Sequence, residues 1–125
     1  MIDHLSTYAT DYAATRAFYE AVLPPLGYAV EFDMPEHNMC AFGPPGNPVF
    51  WVIAAEEAAT PRHIAFSAAD RESVTRFYHT GLQHGGADNG PPGLRPIYHE
   101  HYYGAFLLDP DGNNVEAVCH APEEA

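Results

Sequence analysis

Two stretches of the chain share one pattern of apolar and polar positions. "HLSTYATD" (residues 4–11) and "HIAFSAAD" (63–70) alternate with the period of two of a strand buried on one face. Each ends at an aspartate, Asp11 or Asp70, of the kind that caps a helix N-terminus, and a helical stretch follows. The likeness is a repeat: His4 falls on His63, Asp11 on Asp70, Phe18-Tyr19 on Phe77-Tyr78 and Gly27 on Gly86, all at an offset of 59. Further on, "CAFGPPGNPVFWV" runs parallel to "FLLDPDGNNVEAV", with Gly46-Asn47 on Gly112-Asn113 at an offset of 66. The 7 extra residues belong to "GADNGPPGLRP" (86–96), whose Gly and Pro content predicts a loop.

The pattern predicts strands at 2–9 and 62–68 and helices at 12–23 and 71–83. Three strands follow in each half: 28–33, 38–43 and 48–54 in the first; a weak one near 87–89, then 101–108 and 113–120, in the second. The hairpin turns are "GPPGN" and "DPDGN". The expected fold is α+β: one domain spanning 1–125, with two βαβββ repeats (about 2–55 and 61–120) forming a curved mixed-sheet cup with helices outside.

Alternation also assigns faces. Val115, Ala117 and Cys119 face the helices, as do Leu5, Thr7, Ile64 and Phe66. Asn114, Glu116, Val118 and His120 face the cup, along with His4, Ser6, Tyr8, His63, Ala65 and Ser67. A carboxylate in a strand that otherwise reads as buried costs several kcal/mol unless it is paired or bound to a metal. His4, His63 and Glu116 on one face make a 2-His-1-carboxylate set, suited to Fe(II) and acceptable to Mn(II), Zn(II), Co(II) or Ni(II). Stepping the 66 offset back from Glu116 gives Phe50, so a fourth protein ligand is absent; Trp51, of opposite parity, reads as core.

In "YHEHYYG" (98–104), His99, His101 and Tyr102 are candidate acid, base or hydroxyl-donor groups; a tyrosine-rich edge strand with solvated histidines is the alternative. Alternation from Phe106 puts Tyr102 in the cup and His101 and Tyr103 outside it. His37, His79, His84 and His120 show no partner spacing.

Charge narrows the classes. Seventeen acidic residues stand against five arginines and no lysine, a net charge of −12, which argues against nucleic acid and anionic membranes. A small substrate, uncharged or cationic, is the expected partner. Cys40 and Cys119 lie in apolar runs and read as reduced core residues. No apolar run approaches the roughly 18 residues of a membrane span, and no basic signal region opens the chain, so a cytoplasmic protein is expected. Exposed sheet edges need cover, and a homodimer is the expected assembly.

The duplicated half, the histidine opening each half and the "DPDGNNVEAV" turn and strand resemble the vicinal oxygen chelate superfamily, the glyoxalase, bleomycin resistance and dioxygenase group, over about residues 2–120. The resemblance implies a divalent metal held by His4, His63 and Glu116, binding a substrate through adjacent oxygens. Phe50 departs from the isomerase branch, where a Glu or Gln stands. Bleomycin-sequestering members lack the metal and need no such ligand set. Around the last strands the chain is similar to extradiol dioxygenases at Ile97, His99, Asp109, Pro110, Gly112 and Glu116, but has Ala105-Phe106 where that pattern has a hydrophobic residue and a tyrosine. Fosfomycin-modifying thiol transferases need a cationic pocket, for which only Arg95 is at hand. The implied activity is dioxygenase-like first and glyoxalase-like second, with non-catalytic binding of a drug or metabolite as the other class.

Overall fold

The two aspartates cap as their position requires. In the computed structural model, which describes residues 1–123, Asp11 accepts from the Ala14 N–H (3.1 Å) and Asp70 from the Ser73 N–H (2.8 Å). They open α1 (Tyr12–Val22) and α2 (Arg71–Gln83). Each helix buries one stripe: Thr15, Phe18, Tyr19 and Val22 in α1, and Val74, Phe77, Tyr78 and Gly81 in α2. A side chain at Gly81 would put its Cβ 2.2 Å from Leu107 Cδ1, so the glycine sets how closely α2 seats on the sheet.

The strands are β1 (Leu5–Ala9), β2 (Ala29–Met34), β3 (Met39–Gly43), β4 (Phe50–Ala54), β5 (His63–Ser67), β6 (Ala87–Leu94), β7 (Tyr103–Leu108) and β8 (Asn114–Cys119). They form two open four-stranded mixed sheets, ordered β1-β4-β3-β2 and β5-β8-β7-β6. In each, the first strand runs parallel to the last and the others are antiparallel. This is the expected α+β duplication of βαβββ. The halves meet through aromatic packing, Phe50 edge-on to Phe66 at 5.1 Å, and through Tyr19 of α1, whose hydroxyl donates to Asp109 of the second half at 2.6 Å. Asp111 accepts from the Thr10 hydroxyl (2.6 Å) and the Thr15 hydroxyl (3.3 Å), also across the halves.

Two expectations are corrected. Residues 87–94 are a strand, although the segment contains Gly90, Pro91, Pro92 and Gly93. β6 pairs with β7 alone, and an edge strand tolerates prolines whose missing N–H would face away from the ladder. Its register slips between Asp88 and Gly90 and between Gly90 and Gly93, with Gly90 at φ 146°, so the irregular composition is absorbed as bulges. Arg95 secures this edge, donating to the Pro91 carbonyl (2.7 Å) and lying over the Phe106 ring.

The second correction concerns Phe50 and Trp51. Ser6 pairs with Trp51 as Ala65 pairs with Glu116, so the strands correspond at an offset of 65, not 66. The turn glycines Gly46 and Gly112, both at positive φ, do keep 66, and the first half spends one more residue between turn and strand. A slip of one residue exchanges the faces of a strand. Phe50 is therefore core, 2% exposed and against Tyr19 and Phe66, while Trp51 shares the open face with Ser6 and His4.

Candidate functional site

β5 and β8 bring His63 and Glu116 together. His63 Nε2 lies 2.7 Å from Glu116 Oε1, and the Tyr102 hydroxyl donates to Oε2. Glu116 is 1% exposed, whereas the His63 side chain is half exposed, so the imidazole lies over a carboxylate otherwise enclosed by protein. Phe106, opposite Glu116 on β7, puts its ring 6.2 Å from that of His63. Gly104 makes room for Tyr102: a Cβ there would approach the Tyr102 ring to 3.2 Å and Glu116 Oε2 to 3.4 Å. The buried acid thus has two partners from its own half.

Tyr102 lies on the cup face that alternation assigns to it, and Tyr103 lies on the other, under the Arg71 guanidinium at 5.1 Å. His99 sits above Tyr102 with ring centroids 5.6 Å apart. Its Nδ1 accepts the His101 N–H (3.1 Å), so neutral His99 carries its proton on Nε2 and donates to His120 Nδ1 (2.8 Å). Both nitrogens of His99 are thereby engaged, and the free ring nitrogen of the pair is His120 Nε2. His101 is turned toward Glu100 and lies outside the cluster. The partnership of His120 escapes sequence reading: alternation puts it on the Glu116 face, but His99 lies in a turn without periodicity.

His4 is not part of this cluster. It hydrogen-bonds Asp3 (2.7 Å), and its ring lies 6.4 Å from that of Trp51 on the first sheet. Among the described residues, no three His, Cys, Asp or Glu side chains gather as a metal-holding group. Within one chain the structure does not bring His4 to His63 and Glu116: His4 stands at the start of the first sheet and the other two on the second. An imidazole and a carboxylate oxygen facing one another are the right chemistry for a divalent ion, so His63 and Glu116 fit two of the three positions of a 2-His-1-carboxylate set. The counterpart in the first half is His4 beside Trp51, with one imidazole and no carboxylate facing it from the sheet. Phe32, 5.2 Å from Trp51, makes that face aromatic.

Burial, and secondly the hydrogen bond to Glu116, raise the Tyr102 pKa above its ordinary 10.0. Burial raises Tyr12 to about 12, and burial with the neighbouring Asp109 holds Tyr19 well above 10.0. These groups favour the neutral phenol when folded. Their stabilisation is full below the unfolded value near 10 and fades as pH climbs through the raised folded values. In an alkaline titration followed at 295 nm, the exposed tyrosines should ionise first, and Tyr102→Phe should remove amplitude from the late phase. Loss of early amplitude would contradict this placement of Tyr102.

The chain belongs to the Glyoxalase/Bleomycin resistance protein/Dioxygenase superfamily, whose family model matches residues 1–117. Among solved structures it is similar to a glyoxalase/bleomycin resistance protein from Albidiferax ferrireducens T118, at 26% identity and TM-score 0.79, covering 96% of this chain and 98% of that one. A glyoxalase-related enzyme from Fulvimarina pelagi (18% identity, TM-score 0.71, 95% and 87% covered) shares the fold. So does a glyoxalase/bleomycin resistance protein/dioxygenase family enzyme from Burkholderia phytofirmans PsJN (18%, 0.71, 96% and 98%). Among curated proteins no relative matches the chain. No helix among the described residues is long and apolar enough to cross a membrane.

Proposed function

We propose that the chain is a divalent-metal-dependent enzyme acting on a small molecule with adjacent oxygens, and that its site is shared between two copies. His63 and Glu116 of one copy and His4 of the other would hold the ion, one of the set Fe(II), Mn(II), Zn(II), Ni(II) and Co(II). The observation that carries this reading is the buried carboxylate of Glu116 facing an imidazole on an otherwise apolar sheet. The separation of His4 from that pair supports sharing between copies, since each chain then holds two complementary portions of one ligand set. When bound, the ion would polarise the substrate oxygens and stabilise the developing oxyanion. Tyr102 holds Glu116 in place and shields it from water, and His120 presents a ring nitrogen at the rim.

Trp51, at the cup position paired with Glu116 by the repeat, offers no proton-transferring carboxylate. This favours dioxygenase-like over glyoxalase-like chemistry. The same Trp51, beside Phe32, is the observation for a second reading in which the cup stacks and sequesters a planar molecule without turnover.

Metal-stripped protein titrated calorimetrically with the five ions should bind at least one, and His63→Ala or Glu116→Gln should weaken binding by about 100-fold. Mixing His4→Ala with Glu116→Gln copies should restore binding at roughly a quarter of the sites, because half the dimers are mixed and each mixed dimer holds one intact set. Failure to restore would rule out sharing, and failure of the native protein to bind any ion would leave only sequestration. Oxygen uptake with catechols by the Fe(II) form separates the two chemistries.

A further inference from the structure

The buried carboxylate of Glu116 offers two oxygens that meet different surroundings. Oε1 faces His63 Nε2 at 2.7 Å, and that imidazole is half exposed, so this oxygen is the one reached from solvent past the ring. Oε2 accepts the Tyr102 hydroxyl. Among the described residues these are the only hydrogen bonds of the carboxylate. Its cross-strand neighbours, Ala65 on β5 and Phe106 on β7, have side chains without a donor to offer in their place.

Tyr102 is firmly placed. Its ring is packed by those of Tyr98 (centroids 4.7 Å apart), His99 (5.6 Å) and His120 (5.3 Å), and Gly104 leaves the space it fills. His99 and His120 are bonded to each other at 2.8 Å, and the Tyr102 N–H donates to the His99 carbonyl (3.2 Å). The turn before β7 and the end of β8 therefore close on the phenol from two sides. Together they fix a single hydroxyl on a single carboxylate oxygen.

We propose that Tyr102 is a positioning residue: it limits Glu116 to a single metal-binding oxygen and so keeps a coordination position open for substrate. The inference rests on the metal reading above and adds to it how the carboxylate binds. A carboxylate that holds an ion through both oxygens fills an extra position. With Oε2 held by the phenol, binding of that kind would break a charge-assisted hydrogen bond in a wall that has no replacement donor. An ion that accepts about six donors then keeps about three positions beyond His63, Glu116 Oε1 and His4 of the other copy. The adjacent oxygens of a substrate fit there with a position to spare.

The probe is Mn(II), whose coordinated waters are counted from the relaxation they impart to bulk-water protons. Native full-length protein loaded with Mn(II) should hold about three such waters, and Tyr102→Phe, which keeps the ring and frees Oε2, about two. The water contribution to relaxation should therefore fall by about a third. A loss of about one water is expected even if His4 stays off the ion, because the change belongs to Glu116 alone. A phenol that only satisfies a buried acceptor would leave the count unchanged while lowering stability. Equal counts in native protein and Tyr102→Phe would thus overturn the inference and leave the metal reading intact. So would a crystal structure of the native Mn(II) form with both Glu116 oxygens on the ion, a result that needs no variant. Failure of the native protein to bind Mn(II) would overturn it too, and failure to bind any of the five ions would take the metal reading with it.

Discussion

Replacing Phe50 with glutamate is expected to unfold the protein, and making the same replacement at Trp51 is expected to leave it folded. Phe50 is 2% exposed and holds the aromatic junction with Tyr19 and Phe66. Truncating a buried phenylalanine alone costs about 3–5 kcal/mol, out of a total stability of about 5–15 kcal/mol for a domain. A carboxylate in that position adds its desolvation, and the ring neighbours of Phe50, Tyr19 and Phe66, carry no charge to offset it. Trp51 stands on the open face, where its neighbours are Phe32 and His4, so the loss is that of a partly covered aromatic. Trp51→Glu should lower Tm by less than about 8 °C. It also rebuilds beside His4 the carboxylate that Glu116 provides beside His63. Divalent-ion affinity should then tighten by about tenfold, the worth of about 1.4 kcal/mol. Circular dichroism and calorimetry decide the matter: a folded Phe50→Glu with an unfolded Trp51→Glu would mean that the strand register is the other one.

This pair of residues also shows where sequence reading works and where it stops. The duplication, the capping aspartates and both helices are legible because they rest on local signals: alternation, spacing and cap chemistry. The turn repeat is equally legible, since Gly46 and Gly112 meet the same backbone demand. Extending its offset into the following strand fails because one additional residue costs nothing in a loop yet reverses every side chain after it. β6 is missed for a related reason: strand pairing at an edge is decided by the partner, and bulges conceal the alternation.

At the site, the facing of His63 and Glu116 and the inward placement of Tyr102 follow from parity. The separation of His4 does not, because it depends on how two sheets are disposed, which no local pattern encodes. The His99–His120 bond depends on the path of a turn, which is a tertiary fact.

Removing the Asp109 carboxylate should have the second large effect, and it acts through the first half of the chain. Asp109 is 5% exposed and accepts four hydrogen bonds. Oδ1 takes the N–H of Asp111 (2.9 Å) and of Asn113 (3.0 Å), while Oδ2 takes the Tyr19 hydroxyl (2.6 Å) and the Asn113 amide (2.9 Å). The aspartate of the "DPDG" turn therefore shapes the hairpin and also fastens α1 of the other half. Asp109→Ala leaves the Tyr19 hydroxyl without an acceptor in a fully buried position, at a cost of about 1–3 kcal/mol. With the turn donors also released, about 3–5 kcal/mol in all is expected, in the range of breaking a buried charged network. Tyr19→Phe should cost less, because it removes one donor and leaves the carboxylate with three. Urea unfolding of the two single variants and the double should give a combined loss smaller than their sum by about 0.5–3 kcal/mol, the signature of residues in one network. Strict additivity would show that the Tyr19–Asp109 bond does not help to join the halves, with Asp109 confined to shaping its own turn.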